Sequence, residues 1–178
     1  MKKVLLLTLL ALAATRPSAA GAAAGRASID PLAYLRLLTT ATHNLYNDTQ
    51  TGHANVMTDL GVLNTDSLGL LVPSKHDSEA VAVKADIAKT QKDLAALQAV
   101  NRADQKKLLV LIRTVNKDKA AKAQLGAMLG EATQQLASSN ATVKDAATQA
   151  AAAVAKAWNP VLPKTDPNAP TPAPGLTG

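Results

Sequence analysis

Hydrophobic residues recur along this chain at the three- and four-residue spacing of an α-helix. The most apolar run beyond the N-terminus is Leu108–Ile112, five consecutive large apolar residues that lie between basic ends in QKKLLVLIRTV. This run predicts the central turns of the most buried helix, against which alanine-rich helices pack.

A seven-residue repeat extends the pattern through the middle of the chain. One series contains Ala80, Ile87, Leu94, Asn101, Leu108 and Val115. The companion series contains Val83, Thr90, Leu97, Asp104 and Leu111. Such a repeat is typical of helices that pack at shallow angles. Asn101 with Asp104 indicates either a new helix cap or a polar layer inside one helix, and we expect a break because the acid falls in a new first turn.

In the N-terminal half of the chain, helix-capping residues, glycine and proline predict where helices begin and end. Asp30 and Pro31 form a cap and a first helical position, and the apolar stripe that follows continues to residue 64. Gly52 interrupts this stripe, so we expect two segments with a short joint rather than one bent helix. Residues 64–74 contain Gly69 and Pro73 and predict an ordered loop. The next helix is expected to start near Ser74.

Two further helices are predicted on the C-terminal side. Asn116–Asp118 is a possible cap for a helix that runs to about Ser138, in which Gly126 and Gly130 indicate either a close helix crossing or a bend. The sequence at 138–140 then predicts a cap or kink before a last helix at 141–158, which Asn159-Pro160 ends. Trp158 is expected to anchor that helix to the bundle.

Composition narrows the fold class. Alanine dominates, phenylalanine is absent, and the aromatic residues are Tyr34, Tyr46 and Trp158. Alanine, leucine, lysine and glutamine favour helix, whereas sheet proteins build their cores from β-branched and aromatic residues. Residues 30–158 are therefore predicted to form an all-α domain, an elongated antiparallel helical bundle with coiled-coil-like packing.

The two ends of the chain have different compositions. Residues 1–20 begin Met-Lys-Lys, continue with an apolar run at 4–14 and end in small residues, as in a secretory signal peptide. Cleavage is expected after Ala20 or Ala24, and a retained anchor is the alternative, although the run is shorter than the roughly 20 residues that span a bilayer. Residues 21–29 are expected to be a flexible lead-in, and the proline-rich residues 159–178 a disordered tail. The short Met-Lys-Lys start resembles bacterial signal peptides, so we expect a periplasmic or secreted protein.

Charge is concentrated in one part of the chain. The formal net charge of +6 becomes +3 without Lys2, Lys3 and Arg16, which by itself does not indicate nucleic acid. Residues 75–122 carry 11 basic and six acidic side chains. Lys92, Lys106 and Arg113 share one heptad position, which lies on the side of the helix opposite the two series listed above. This stripe is either a solvated helix face or a site for anionic lipid, cell-wall polymer or an acidic protein.

Few residues indicate a reactive site. The chain has no cysteine, which excludes disulfides and thiolate chemistry, and its two glutamates are too few for a di-iron carboxylate site. His43 and His53 are weak metal candidates that converge only if the helix bends at Gly52. Met57 or Met128 with a histidine is a conceivable haem ligand set, although methionine at helical spacing is typical of core packing. No cofactor is expected.

These patterns predict an exported, non-enzymatic helical protein with an interaction or structural role in the bacterial cell envelope. The sequence contains no P-loop, dinucleotide fingerprint or Gly-x-Ser-x-Gly motif. The expected partner is an envelope protein or an anionic cell-surface polymer, and self-association through the heptads stays open. The alternatives are a periplasmic holdase-type chaperone for acidic clients and a metal- or haem-binding helical bundle.

Overall fold

The computed structural model describes residues 30–160, so the predicted leader, the lead-in and the tail beyond residue 160 lie outside the described residues. Within that range the chain forms helices and no strands. The helices are α1 (Pro31–Gly69), α2 (His76–Asn116), α3 (Lys119–Gln124) and α4 (Gly126–Lys156). The long helices pack against one another, and the all-α prediction is confirmed.

Two of the predicted caps start helices. The Asp30 carboxylate accepts a hydrogen bond from the Leu32 backbone N–H at 3.0 Å, and Pro31 occupies the first turn of α1. The Asp118 carboxylate accepts hydrogen bonds from the backbone N–H groups of Ala120 and Ala121 at 2.9 and 3.0 Å, which begins α3. Leu125 then interrupts the helical path between α3 and α4.

Helix α1 passes through Gly52 without a joint, so the prediction of two segments is wrong. A Cβ atom on this glycine would lie 2.8 Å from Leu97 Cδ1 and 3.2 Å from Leu97 Cβ. Glycine is therefore needed because α1 and α2 approach closely here, and not because the chain turns. The helix also continues through residues 64–69, where a loop was predicted, and only residues 70–75 connect it to α2.

Replacement of Gly52 by valine is expected to lower the free energy of unfolding by about 2 kcal/mol, because the branched side chain overpacks the contact with Leu97. The matched control is Gly61→Val, since nothing lies within 4 Å of the position of its Cβ. Valine is a better helix former than glycine by a few tenths of a kcal/mol, so the control gains slightly. Urea denaturation measures the free energy of unfolding of both variants. Equal effects of Gly52→Val and Gly61→Val would contradict the close approach of α1 and α2 at Gly52.

Helix α2 is continuous through Asn101, so the predicted break there is wrong. Asn101 and Asp104 are buried and form part of a polar layer, which is the alternative that the heptad pattern left open. The buried residues of α2 all belong to the two predicted heptad series. They are Val83, Thr90, Leu97, Asn101, Asp104, Leu108 and Val115.

Helix α4 differs from its prediction at residues 138–140 and at Trp158. It passes without a kink through residues 138–140, and Ser139 is buried. Gly126 and Gly130 have no neighbouring atom within 4 Å of a Cβ position, so they make no close crossing, and the interruption at Leu125, next to Gly126, agrees with the alternative of a bend. Trp158 lies beyond the helix and is half-exposed, and Ala157 is the buried residue at this end. The predicted tryptophan anchor is therefore wrong.

The interior alternates between apolar and polar layers. The first apolar cluster contains Leu38, Leu45, Leu108, Val115, Ala121, Leu125, Leu129 and Ala132. The second contains Val56, Leu97, Ala146 and Ala150, and the third contains Leu63, Val83 and Ala157. Buried polar residues lie between the clusters. Thr49 of α1 and Asn101 of α2 lie between the first and second clusters, and Asp59 of α1 and Thr90 of α2 lie between the second and third. Helix α4 contributes mainly alanine to this core.

Candidate interaction site

Lys92, Lys106 and Arg113, the three basic residues predicted to lie opposite the buried heptad positions, are exposed on α2. Lys106 follows Lys92 by two heptads, and Arg113 follows Lys106 by one heptad, on one continuous helix. With a rise of 1.5 Å per residue, the outer two are separated by about 30 Å along the axis. We call this row of side chains the basic face. Other lysines, Lys89 and Lys107, form the ion pairs with Asp59 and Asp104, so the basic face presents its charges to solvent.

A hydrogen-bonded polar layer crosses the bundle on the buried side of α2, opposite the basic face. The Asn101 amide donates to Thr49 Oγ1 of α1 at 2.9 Å. The Gln105 amide donates to the Asn101 side-chain oxygen, to Ser139 Oγ at 3.2 Å and to the Asn140 side-chain oxygen at 2.8 Å. The layer therefore joins α1, α2 and α4.

Two clusters of charged side chains involve α2, and the first of them connects it with α1. Lys89 donates hydrogen bonds to the buried carboxylate of Asp59 and, at 3.0 Å, to Asp93. These bonds, first that to Asp59, raise the pKa of Lys89, and the bond from Lys89 lowers the pKa of Asp93. Lys107 pairs with buried Asp104 at 2.7 Å, and this bond raises the pKa of Lys107. Lys89 and Lys107 therefore pair with carboxylates of the protein itself.

The carboxyl group of Asp86 lies in the first of these clusters. Burial raises its pKa above the ordinary value of 3.8, and the neighbouring carboxyl groups of Asp66 and Asp59 raise it further, while Lys89 opposes them. At neutral pH the ionised Asp86 therefore destabilises the folded state. This penalty disappears as the pH falls through the raised pKa towards 3.8.

Replacement of Asp86 by asparagine is expected to raise the free energy of unfolding at neutral pH, because it removes a carboxylate that burial and like charge disfavour. Well below pH 3.8 the gain should vanish, since Asp86 is then neutral in both states. Urea denaturation across this pH range measures the change. Asp77→Asn is the control, because Asp77 lies in the favourable first turn of α2 and its loss should destabilise at neutral pH. A gain from Asp86→Asn that is independent of pH would contradict the assignment.

The structure separates the two histidines that were candidate metal ligands. His43 and His53 lie ten residues apart on the unbroken helix α1, a rise of about 15 Å, so they do not converge. His53 Nε2 lies 3.9 Å from a carboxylate oxygen of Asp145, and His43 is exposed beside a groove. Within residues 30–160, no group of three or more histidine, aspartate or glutamate side chains is arranged to hold a metal ion.

The two methionines that were considered as haem ligands lie in different surroundings. Met57 packs against the second apolar cluster, as a core side chain does. Met128 borders the same groove as His43, and its sulfur accepts a hydrogen bond from Thr39 Oγ1 at 3.6 Å.

That groove, with a volume of about 530 Å³, lies between α1 and the region where α3 meets α4. Its walls come from residues 35–46 on one side and 124–135 on the other. The sequence did not predict it, because its shape depends on how two distant segments lie side by side. The only sequence signal is that Glu131 is one of two glutamates in the chain.

No protein-family model, curated protein or solved structure shows significant similarity to this chain. The fold therefore defines the protein only as a class, an all-α protein of four packed helices. Among the described helices, none combines the length and apolar character that a membrane span requires.

Proposed function

We propose that this chain is an exported, non-enzymatic helical protein of the bacterial cell envelope, and that its basic face binds an anionic cell-surface polymer. The observation that carries the proposal is the row formed by Lys92, Lys106 and Arg113, three exposed cations along about 30 Å of one helix. A polymer with repeated negative charges can contact all three, because they point in one direction. Export to the periplasm or beyond is the prediction made from residues 1–20.

We further propose that the helices form an elongated antiparallel bundle with coiled-coil-like packing. In support, contacts between α1 and α2 run in opposite order along the chain. Thr49 bonds Asn101, Gly52 lies against Leu97, and Asp59 pairs with Lys89. Such a bundle is a stiff support, which holds the three charges at fixed separations.

Neutralising the basic face with Lys92→Gln, Lys106→Gln and Arg113→Gln is expected to weaken binding to poly(glycerol phosphate) at least about tenfold, or about 1.4 kcal/mol. Binding by the unaltered protein should weaken as salt rises, because these charges are exposed and screened over about 8 Å at 0.15 M. Isothermal titration calorimetry measures both effects.

The matched control removes three other exposed lysines, Lys84, Lys144 and Lys156, and so changes the net charge equally. Equal losses in the two triple variants would show that net charge alone attracts the polymer, and no binding at low salt would refute the proposal. Binding to isolated envelopes tests the alternative of an envelope protein as the partner. If protease treatment of the envelopes abolishes binding, the partner is a protein.

A holdase-type chaperone is the second candidate, because large apolar side chains are exposed on the described surface. Val81 is 72% exposed, Leu32 is 55% exposed and Leu37 is 50% exposed. Such side chains can contact unfolded clients, and the basic face would favour acidic ones. If this function is correct, the protein suppresses the aggregation of an acidic client, and the suppression weakens as the salt concentration rises. A protein that binds the polymer but does not suppress aggregation would exclude the chaperone function.

A further inference from the structure

The groove between α1 and α4 has the dimensions of a small-ligand site. The wall from α1 extends over residues 35–46, which corresponds to a length of about 16 Å along the helix. The volume of about 530 Å³ is within the range of ligand pockets, which commonly occur between helices of bundles. Leu35, Leu125 and Met128 supply apolar surface, so the groove suits an elongated apolar body.

The charge of the groove is opposite to that of the whole chain. All of its lining residues belong to the described chain, and among them Glu131 carries the one formal charge, although the chain has a net charge of +6. Tyr46 is 45% exposed at the same site, and the face of its ring can attract a cation. A cationic ligand therefore matches the groove, and an anionic ligand does not.

A buried hydroxyl group belongs to one of the residues that line the groove. Six other threonines donate their side-chain hydroxyl to the carbonyl oxygen four residues earlier. They are Thr58, Thr65, Thr114, Thr133, Thr142 and Thr148. Thr42, which lines the groove, does not, and its buried Oγ1 has no hydrogen-bond partner within the described residues. A buried hydroxyl is stabilised by a partner, and the head group of a ligand can supply one.

We propose that this groove binds a small cationic amphiphile, an alkylammonium compound whose ammonium group pairs with Glu131 and whose chain lies over Leu35, Leu125 and Met128. Thr42 Oγ1 becomes a further acceptor for the ammonium group when the threonine side chain turns towards the groove. This site uses a different surface from the basic face and selects the opposite charge, so it is independent of the proposed function.

The test uses the methionine methyl groups as reporters, since Met128 lines the groove and Met57 packs in the core. The protein is labelled with ¹³C-methyl methionine, its signals are assigned with Met57→Leu and Met128→Leu variants, and octylammonium, octanol and octanoate are titrated separately. Octylammonium is expected to shift the Met128 signal saturably and to leave Met57 unmoved. Octanoate, which has a chain of the same length, should bind at least about tenfold more weakly.

Two glutamate variants provide a matched pair, because Glu131 and Glu79 are the only glutamates in the chain. Glu131→Gln is expected to weaken octylammonium binding about tenfold without changing octanol binding, whereas Glu79→Gln changes neither. Circular dichroism verifies that both variants keep their helices.

The proposal is overturned if octanoate binds as well as octylammonium, if Glu131→Gln has no more effect than Glu79→Gln, or if Met128 does not respond. A lysine-containing amphipathic peptide that shifts Met128 when octylammonium does not would also overturn it, in favour of a peptide-binding groove.

Discussion

Truncation of Leu108 to alanine is expected to lower the free energy of unfolding by about 3–4 kcal/mol, because it removes a fully buried leucine side chain and leaves a cavity. Leu108 has no exposed surface and lies in the first apolar cluster, with Leu38, Leu45 and Leu125 among its members. This cluster includes residues from all four helices, so the cavity affects every helix contact in this part of the fold. Urea denaturation followed by far-ultraviolet circular dichroism measures the loss.

Leu109→Ala is the matched control, since the neighbouring leucine is 36% exposed and absent from the cluster. Its truncation is expected to cost less than about 1 kcal/mol. Similar losses for the two leucines would contradict the assignment of Leu108 to the core, and would indicate that the apolar run is covered on both sides, as in a tight self-association.

Replacement of Asn101 by alanine is expected to lower the free energy of unfolding by about 2–3 kcal/mol, from lost hydrogen bonds, unpaired partners and a small cavity. Asn101 is 4% exposed, donates to Thr49 and accepts from Gln105. Thermal and urea denaturation measure the change. Asn140→Ala is the control, because Asn140 is exposed and accepts one bond from Gln105, so its loss should cost under about 1 kcal/mol.

Apolar replacement of both partners should have a different result. Thr49→Val combined with Asn101→Leu removes donor and acceptor together, so the pair is expected to recover most of the stability that Asn101→Ala loses. A double variant that is less stable than the Asn101→Ala protein would contradict this, and would mean that the layer contributes net stability. The stabilised pair would also show whether the polar layer fixes the register of α1 on α2, as single buried asparagines do in coiled coils.

Helical periodicity predicted the fold class and the buried face of α2, but not where the helices continue without a break. Gly52 and Asn101 are residues that commonly end or begin helices, yet here both serve contacts between helices. A single sequence does not distinguish these uses, because each depends on a neighbour from a distant segment. The unbroken heptad phase across Asn101 favours a continuous helix, and the structure follows it and not the capping pattern.

The run at Leu108–Ile112 shows the same limit. It predicted a central, buried helix, and Leu108 is indeed buried, but Leu109 is 36% exposed and Val110 is 54% exposed. Hydrophobicity marks the segment, whereas the helical phase decides which side chains reach the core. The directions of Lys92, Lys106 and Arg113 followed from that phase. The groove did not, because it requires the relative positions of α1 and α4.

The alanine face of α4 makes the three long helices unequal in how firmly they are held. Among the buried members of the second and third clusters, α4 and its C-terminal cap contribute only alanine, while α1 and α2 contribute leucine and valine. The partly buried Val143 and Val154 of α4 pack against the edges of these clusters. A methyl group removes far less apolar area from water than a larger side chain, at about 25 cal/mol per Å². Detachment of the C-terminal half of α4 is therefore expected to require less free energy than separation of α1 from α2, so we expect this half to unfold locally before α1 and α2 separate.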